Sequence, residues 1–271
     1  MSSPFTYSLN TSTIAPTPLL DKITLAAKHG FGAIELWLRD VLEYVADGGK
    51  VSDVVKAVKD HGLRVPNVIA MHGWGDAAES DYPAALDNCR RSMDLAAQLE
   101  SPYIVATPPR DKADLNVISR RYRDLLAVGK QIGVKPTMEY LGFVHSVYRI
   151  DQALQIVREA NDPAATLVLD SFHTFRGGST FADMTQVPVP MIAHFHLDDA
   201  PGYIQPELQM DPDRVMPGDG VIDLKAEINW LRDNGYRGAI SLELFNPSLW
   251  ERDPNEVLKL GMDRMRRLME S

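Results

Sequence analysis

The feature that most constrains the fold is a joint that recurs four times, in which a helix-like amphipathic run ends at a glycine and an apolar run follows at once. Glycine just past the last helical residue is a common C-terminal cap, because it tolerates a positive φ. The joints therefore predict repeated helix-to-strand connections. Their sequences are KHGFGAIEL (28–36), DHGLRVPNV (60–68), QIGVKPTME (131–139) and DNGYRGAIS (233–241).

Short apolar runs predict eight strands along the chain, and segments with helical apolar spacing separate them. Strands that alternate with helices favour parallel pairing. Since no glycine-rich G-x-G-x-x-G turn follows the first strand, an α/β fold of the (β/α)₈ TIM barrel type is favoured over a doubly wound open sheet. The predicted strands cover residues 5–9, 33–37, 65–70, 103–106, 135–139, 166–170, 192–197 and 239–244.

Length and linker composition bear on the number of domains. A chain of 271 residues is ordinary for one barrel domain, and no Pro-, Gly- or Ser-rich linker divides it. We therefore expect a single domain over residues 1–271. The irregular, proline-rich stretch 198–220 is expected to be a long loop, and such loops are often functional.

Charge and cysteine content limit the partners. The net charge is −9 without a basic run, so neither nucleic acid nor an anionic membrane is an expected partner. The lone Cys89 allows no intramolecular disulfide. The N-terminus lacks a signal-peptide pattern, and no apolar stretch is long enough to span a bilayer. We expect a cytoplasmic protein.

Each of the last four predicted strands ends on a side chain that can bind a metal. Active sites of this fold lie at the C-terminal ends of the strands, and alternation along a strand turns these side chains inward. Carboxylates and an imidazole suit Mn²⁺, Mg²⁺, Co²⁺ or Zn²⁺. The residues are Glu139, Asp170, the pair His194 and His196, and Glu243.

Each of these residues also has an ordinary interpretation. A carboxylate at a strand end often caps the next helix, and an H-x-H pair in a strand is often packed in the core. The conjunction on successive strands favours the metal, because buried carboxylates without a cation repel one another.

Three segments carry a resemblance to a known family: LVLDSFHTFRGGS (167–179), residues 195–224 and ISLELFNPSLW (240–250). They resemble the sugar isomerase and epimerase branch of the xylose-isomerase-like TIM barrels, and within it most of all the inosose isomerases. The likeness is strong over about residues 134–260 and looser before them. It implies one divalent metal ion held by four residues. These are Glu139, Asp170, His196 and Glu243. His194 is not among them, and because it lies one strand repeat deeper, we expect it to be a packed and hydrogen-bonded core residue.

The resemblance implies an isomerase or epimerase of a keto-sugar or an inosose-like keto-cyclitol, and with it carbohydrate or inositol metabolism. A divalent ion such as manganese would stabilise the enediolate formed when the proton beside the ketone leaves. Glu139 and Glu243 are expected to move that proton as an acid/base pair, by similarity to the family's epimerases.

Six further residues are candidates for binding the small polyhydroxylated keto substrate. Arg214 has planar donors that suit such a ligand, although it can equally pair with Asp211 or Asp213. Aromatic rings are platforms for the apolar face of a sugar ring and also natural plugs for a barrel mouth. The candidates are His173, Arg214, Glu35, Trp37, His72 and Trp74.

Other functions stay open at this point. A 3-dehydroshikimate dehydratase has the same kind of metal site and is the main alternative. An endonuclease IV-like nuclease is disfavoured. It needs three zinc ions held by additional histidines, and here the fourth strand ends without a histidine and the corresponding loop reads DPD (211–213). A non-catalytic binding protein is disfavoured because all four ligand positions are filled. The chain is compatible with a monomer or a homo-oligomer.

Overall fold

The computed structural model describes residues 3–270, and within them eight parallel strands close into a barrel. Each strand pairs with its neighbours in chain order, and β8 pairs with β1 to complete the ring. The (β/α)₈ prediction is therefore confirmed. The strands are β1 (Thr6–Asn10), β2 (Ala33–Trp37), β3 (Val68–Met71), β4 (Tyr103–Ala106), β5 (Lys135–Met138), β6 (Thr166–Asp170), β7 (Ile192–Leu197) and β8 (Ala239–Leu242).

Helices surround the barrel and cover the outward faces of the strands. The helices are α1 (Leu19–Lys28), α2 (Leu38–Ala46), α3 (Val51–Asp60), α4 (Tyr82–Gln98), α5 (Leu115–Ile132), α6 (Ile150–Ala160), α7 (Ser171–Arg176), α8 (Phe181–Met184), α9 (Leu224–Asp233), α10 (Pro247–Trp250) and α11 (Pro254–Met269). Short 3₁₀ turns occur at Thr11–Ile14, Val189–Met191, Pro206–Leu208 and Asp211–Asp213.

The glycine joints have the backbone conformation that their sequence predicts. Gly133, for example, has φ 94° and donates its N–H to the Gly129 carbonyl, which ends α5 before β5 begins. The glycines of the other three joints also have positive φ. Tight joints of this kind bring each helix back onto the barrel within a few residues.

Side-chain alternation divides the interior of the protein into two layers. Leu167 and Leu169 point outward into the main core between strands and helices, whereas Val168 points into the barrel, where it forms a small cluster with Ile69 and Val105. Ile69 also lines the cavity at the barrel mouth, and Val168 is paired in register with His194. The apolar cluster therefore shares the barrel interior with buried polar side chains such as His194 and Thr166.

One predicted strand needs correction. The third strand begins at Val68 rather than at residue 65, and before it Arg64 makes only an isolated bridge to Ala33. Pro66 explains the delay, because proline has no N–H to donate to a sheet ladder. The other predicted strands lie within two residues of the observed bounds.

The long irregular segment 198–220 folds back over the barrel mouth. Asp199 fixes it, because its carboxylate accepts the N–H groups of Gly218, Gly220 and Ile222, and its backbone bridges Val215. These bonds place Arg214 above the strand ends. Within residues 3–270, no helix has both the length and the apolar character that crossing a bilayer requires.

Candidate metal centre and substrate cavity

The strand ends bring the predicted ligands to the C-terminal mouth of the barrel. Asp170 of β6 is paired with His196 of β7, and His196 is paired with Ser241 of β8. Glu139 and Glu243 come directly after the last residues of β5 and β8. Inward side chains at the C-terminal ends of the strands of a closed barrel converge on the same mouth, so these four side chains meet there.

Three carboxylates surround one nitrogen of His196. Its Nδ1 lies 3.1 Å from Glu243 Oε2, 3.6 Å from Asp170 Oδ2 and 3.7 Å from Glu139 Oε1. Asp170, His196 and Glu243 each offer a ligand atom, and these atoms lie within 4.8 Å of one another. This spacing lets one cation be reached by several of the side chains at once.

The electrostatics of this cluster fit a divalent cation. His196 Nδ1 is buried and has no hydrogen-bond partner, although carboxylate oxygens lie on its side of the ring. Burial, together with the charges of Glu243 and Asp170, raises the pKa of Glu139 well above its usual value. Burial alone lowers the pKa of His196, but Glu243 and Glu35 outweigh it and raise that pKa. A cation relieves the mutual repulsion of these carboxylates.

Asp170 serves both the backbone and the cluster. Its Oδ1 accepts the N–H of His173 at 2.6 Å and caps α7, while its Oδ2 accepts from Arg214 at 3.1 Å. Although burial opposes it, the charges of His173 and Arg214 keep the pKa of Asp170 well below its usual value. The carboxylate is therefore ionised and keeps one oxygen directed at the cluster.

Arg214 reaches into the same cluster from the long loop. Its guanidinium contacts Asp198, lies 2.9 Å from Glu243 Oε2 and 2.8 Å from Asp211 Oδ1, and is 1% exposed. Of the two aspartates considered as partners from the sequence, Asp211 is thus the one that pairs with it. Arg214 supplies a fixed positive charge at the barrel mouth.

A cavity of about 410 Å³ opens directly above the carboxylates. Its size and its mixed polar and aromatic lining suit a small polar ligand. It is lined by six of the predicted site residues, Trp37, His72, Glu139, His173, Arg214 and Glu243. Further lining residues that sequence reasoning did not select include Thr107, Arg110, Phe143 and Phe245.

Two residues predicted to contact substrate lie away from the cavity, and for them the expectation is corrected. Glu35 is completely buried below His196, with its oxygens occupied by neighbouring side chains. Trp74 is also completely buried and donates its Nε1–H to the Thr107 carbonyl. Glu35 lies too deep in the barrel, and the Trp74 ring is packed into the core behind the cavity wall.

His194 is packed below His196, as predicted, but it lacks the predicted hydrogen bonds. The two rings contact edge to face with centroids 5.2 Å apart. Neither ring nitrogen of His194 has a hydrogen-bond partner, and its Nε2 lies 3.5 Å from Glu35 Oε2. His194 therefore lies at the level of Val168, one strand repeat below His196.

Two asparagines and an aspartate that the sequence analysis did not select also belong to this centre. Asn10 bridges two acids, donating to Glu35 at 2.7 Å and to Glu243 at 2.8 Å, and Asn67 donates to Glu35 at 2.8 Å. Asp198 accepts from Arg214. Asn10 was detectable in principle, because it ends β1 on the inward face, just as the acids lie at or directly after the ends of β5, β6 and β8.

Comparison with known proteins agrees with this architecture. The family model of the xylose isomerase-like TIM barrel matches residues 23–268, and the chain belongs to that family. An inosose isomerase of Halalkalibacterium halodurans is 28% identical over 260 residues, which cover 93% of this chain and 92% of that enzyme.

Two further similarities concern chemistry and metal. A 3-dehydroshikimate dehydratase of Pseudomonas putida is 26% identical over 84% of this chain, but the match spans only 36% of that protein. A crystal structure of the IolI protein with a bound zinc atom superposes with a TM-score of 0.90 at 25% identity, covering 98% of both chains. Enzymes of related architecture thus include both isomerases and dehydratases.

Proposed function

We propose that this protein is a divalent-metal-dependent isomerase or epimerase of a small keto-polyol, with an inosose-like keto-cyclitol or a keto-sugar as its substrate. The observation that carries the proposal is the convergence of Glu139, Asp170 and Glu243 on His196 Nδ1 at the floor of the cavity. Four residues would hold the ion: Glu139, Asp170, His196 and Glu243.

The ion would supply electrostatic stabilisation for the negative charge that develops when a carbon-bound proton next to a ketone is removed. Glu139 is suited to hold a proton, because burial and its acidic neighbours raise its pKa. Glu243 approaches from β8, where Asn10 and Arg214 fix its two oxygens. A pair of carboxyl groups from different strands can move a proton off and onto the substrate carbon.

The cavity walls suit the remainder of such a substrate. Arg214 and His173 offer polar groups beside the acids, and Trp37 presents an aromatic wall on the β2 side. Planar cationic donors bind oxygen-rich ligands, and aromatic rings pack on the apolar face of sugar rings. We propose that these residues orient the hydroxyl groups, and that His72 completes the rim.

Dehydration of a 3-dehydroshikimate-like substrate is the second candidate, supported by the dehydratase relatives. The isomerase is favoured because the inosose isomerase sequences match over almost their whole length, whereas the match to the two Pseudomonas dehydratase sequences spans 36% of each. Manganese as the ion, a role in inositol metabolism, a cytoplasmic location and assembly into homo-oligomers stay predictions, as do the absence of nucleic-acid and membrane partners.

Incubation in D₂O separates the two reactions. The metal-loaded protein is given inososes, ketohexoses and 3-dehydroshikimate, and products are followed by NMR and mass spectrometry. Deuterium in an isomeric product supports the isomerase, and a dehydrated enone or aromatic product supports the lyase. Exchange should disappear with EDTA and with Glu139→Gln, and should persist with the exposed Glu251→Gln. Exchange that persists in Glu139→Gln would contradict the proposed role of this acid.

A further inference from the structure

We propose that Glu35 is a positioning residue that fixes the ring orientation and the tautomer of His196, so that His196 binds the ion through Nδ1 and donates its Nε2–H to Glu35. The inference rests on the proposed metal centre. It also gives a role to a buried carboxylate that contacts neither the cavity nor the outer core.

The two ring nitrogens of His196 face opposite groups of acids. Nε2 lies 3.0 Å from Glu35 Oε1 below the ring, and Nδ1 lies 3.1 Å from Glu243 Oε2 above it. A ring rotated by half a turn would present carbon atoms to both carboxylates. Only the observed orientation therefore satisfies Glu35 and also directs a ring nitrogen, Nδ1, at the cluster of acids.

Glu35 itself is held by two asparagines, one at the end of β1 and one directly before β3. Asn10 donates its amide to Oε2 at 2.7 Å and Asn67 donates its amide to Oε1 at 2.8 Å, and all three side chains are completely buried. Trp37 fixes the other end of Asn10, donating its Nε1–H to Oδ1 at 2.9 Å. The network leaves Glu35 an acceptor toward His196, so Nε2 is the nitrogen that carries the proton.

This arrangement matches a general feature of metal-binding histidines. The ring nitrogen that does not bind the ion usually donates to a carboxylate or carbonyl, which fixes the tautomer and raises the basicity of the ligand. Loss of such a partner weakens metal affinity by about 10- to 100-fold. Glu35 occupies this position below His196, and Nδ1 faces the other three candidate ligands.

A competing site has to be distinguished. Glu35, His194 and His196 also offer ligand atoms within 4.8 Å of one another, and an ion there would use Nε2 of His196. Against this site, both oxygens of Glu35 already accept amide hydrogens, and the three residues are completely enclosed. The upper group borders the cavity through Glu243, so an ion bound there can meet a substrate.

The first test is metal affinity, measured for Mn²⁺ and Zn²⁺ by competition with a chelator. Glu35→Gln keeps the shape but loses the charge and should raise Kd about 10-fold, and Glu35→Ala should raise it about 100-fold. Glu227→Gln is the matched control, because Glu227 is a buried glutamate that bonds Ser171 rather than His196, and its Kd should stay unchanged. An unchanged Kd in Glu35→Ala, with folding verified by circular dichroism, would overturn the proposal.

The second test identifies the nitrogen that binds. In the Zn²⁺-loaded protein, ¹⁵N-detected NMR of His196 should show a metal-bound Nδ1 and a protonated Nε2. His194→Asn should change Kd less than about threefold, because His194 belongs only to the lower group. A metal-bound Nε2, or loss of binding in His194→Asn as complete as in His196→Asn, would place the ion in the lower group and refute the role of Glu35.

The outcomes keep this inference separate from the proposed reaction. Metal binding through Nδ1 with no deuterium exchange on any substrate would refute the proposed function and support the role of Glu35. Deuterium exchange with the ion bound through Nε2 would support the proposed function and refute the role of Glu35. A wild-type protein that binds no divalent ion would refute both.

Discussion

Asp170 shows how one side chain can satisfy two interpretations that the sequence presented as alternatives. A carboxylate at a strand end was expected either to cap a helix or to bind a metal. Its Oδ1 caps α7 through the His173 N–H, and its Oδ2 faces Arg214 and His196. Because a carboxylate has two oxygens, the capping bond orients the group and leaves the second oxygen for the centre.

Arg214 should be the residue whose loss most destabilises the metal-free protein. Arg214→Ala leaves Asp170, Asp198 and Glu243 buried without their cation, and removing one partner of such a buried group lowers the free energy of unfolding by about 3–5 kcal/mol. Urea denaturation measures this loss. Saturating Mn²⁺ should reduce it, because the ion supplies positive charge to the same acids.

Arg252→Ala is the control for this experiment, because Arg252 is exposed and lies 3.7 Å from an exposed Glu256. Surface pairs of this kind contribute about 0–1 kcal/mol. Equal losses in the two variants would show that Arg214 does not balance the charge of the buried acids.

Helix α5 packs on its own C-terminal joint, and Gly129 makes this possible. A Cβ added to Gly129 would lie 2.3 Å from the Val134 carbonyl oxygen and 2.7 Å from Pro136 Cδ. In an open helix, Gly→Ala stabilises by about 1 kcal/mol. At Gly129 the added methyl group would clash with backbone, so the substitution should destabilise rather than stabilise the protein. We expect Gly129→Ala to lower the free energy of unfolding by about 1–3 kcal/mol.

Gly261→Ala in α11 provides the comparison, since its added Cβ meets only the end of the Leu242 side chain, at 2.4 Å. Only a terminal methyl group of this buried side chain has to shift, rather than backbone, so thermal denaturation should show a smaller loss than for Gly129→Ala. If Gly129→Ala proved as stable as the wild type, the joint after α5 would be looser than the structure has it.

Helices α7 and α9 are joined by a buried bond that should make stability depend on pH. Burial raises the pKa of Glu227 from 4.5 to about 7, although the Ser171 hydroxyl donates to it. A carboxyl whose folded pKa lies above its unfolded pKa gives stability that is complete below the unfolded value and is lost as pH rises through the folded one.

The metal-free protein should therefore lose stability between about pH 4.5 and pH 7 on account of this group. Glu227→Gln should flatten this part of the profile and be more stable than the wild type at pH 8 by on the order of 3 kcal/mol. Urea unfolding at several pH values measures the effect, with the exposed Glu251→Gln as control. A profile unchanged by Glu227→Gln would mean that Glu227 titrates normally.

The closed ring of strands makes the barrel one hydrogen-bonded unit, since β8 pairs with β1. We expect a single unfolding transition in which circular dichroism and tryptophan fluorescence coincide. A divalent ion at about 100 times its Kd should raise the free energy of unfolding by about 2.7 kcal/mol, and EDTA should reverse the increase. Two separate transitions would contradict the single-domain prediction, and no shift with any ion would contradict the metal centre.

Strand alternation explains why much of the site was predictable. Glu139, Asp170, His196 and Glu243 lie at or directly after strand ends, and a period of two residues fixes which side chains point inward. The sequence indicated His196 rather than His194 through the family resemblance. The structure brings the four residues together, while their role as ligands stays a prediction.

Local sequence determined three features of this protein: the order of strands and helices, the glycine joints, and the inward direction of the strand-end acids. Each depends only on neighbours a few residues away in the chain. Tertiary structure decided the layer below the centre, where Asn10 and Asn67 hold Glu35 against His196. Contacts of this kind depend on which strands become neighbours and at what height in the barrel, distances that no local pattern encodes.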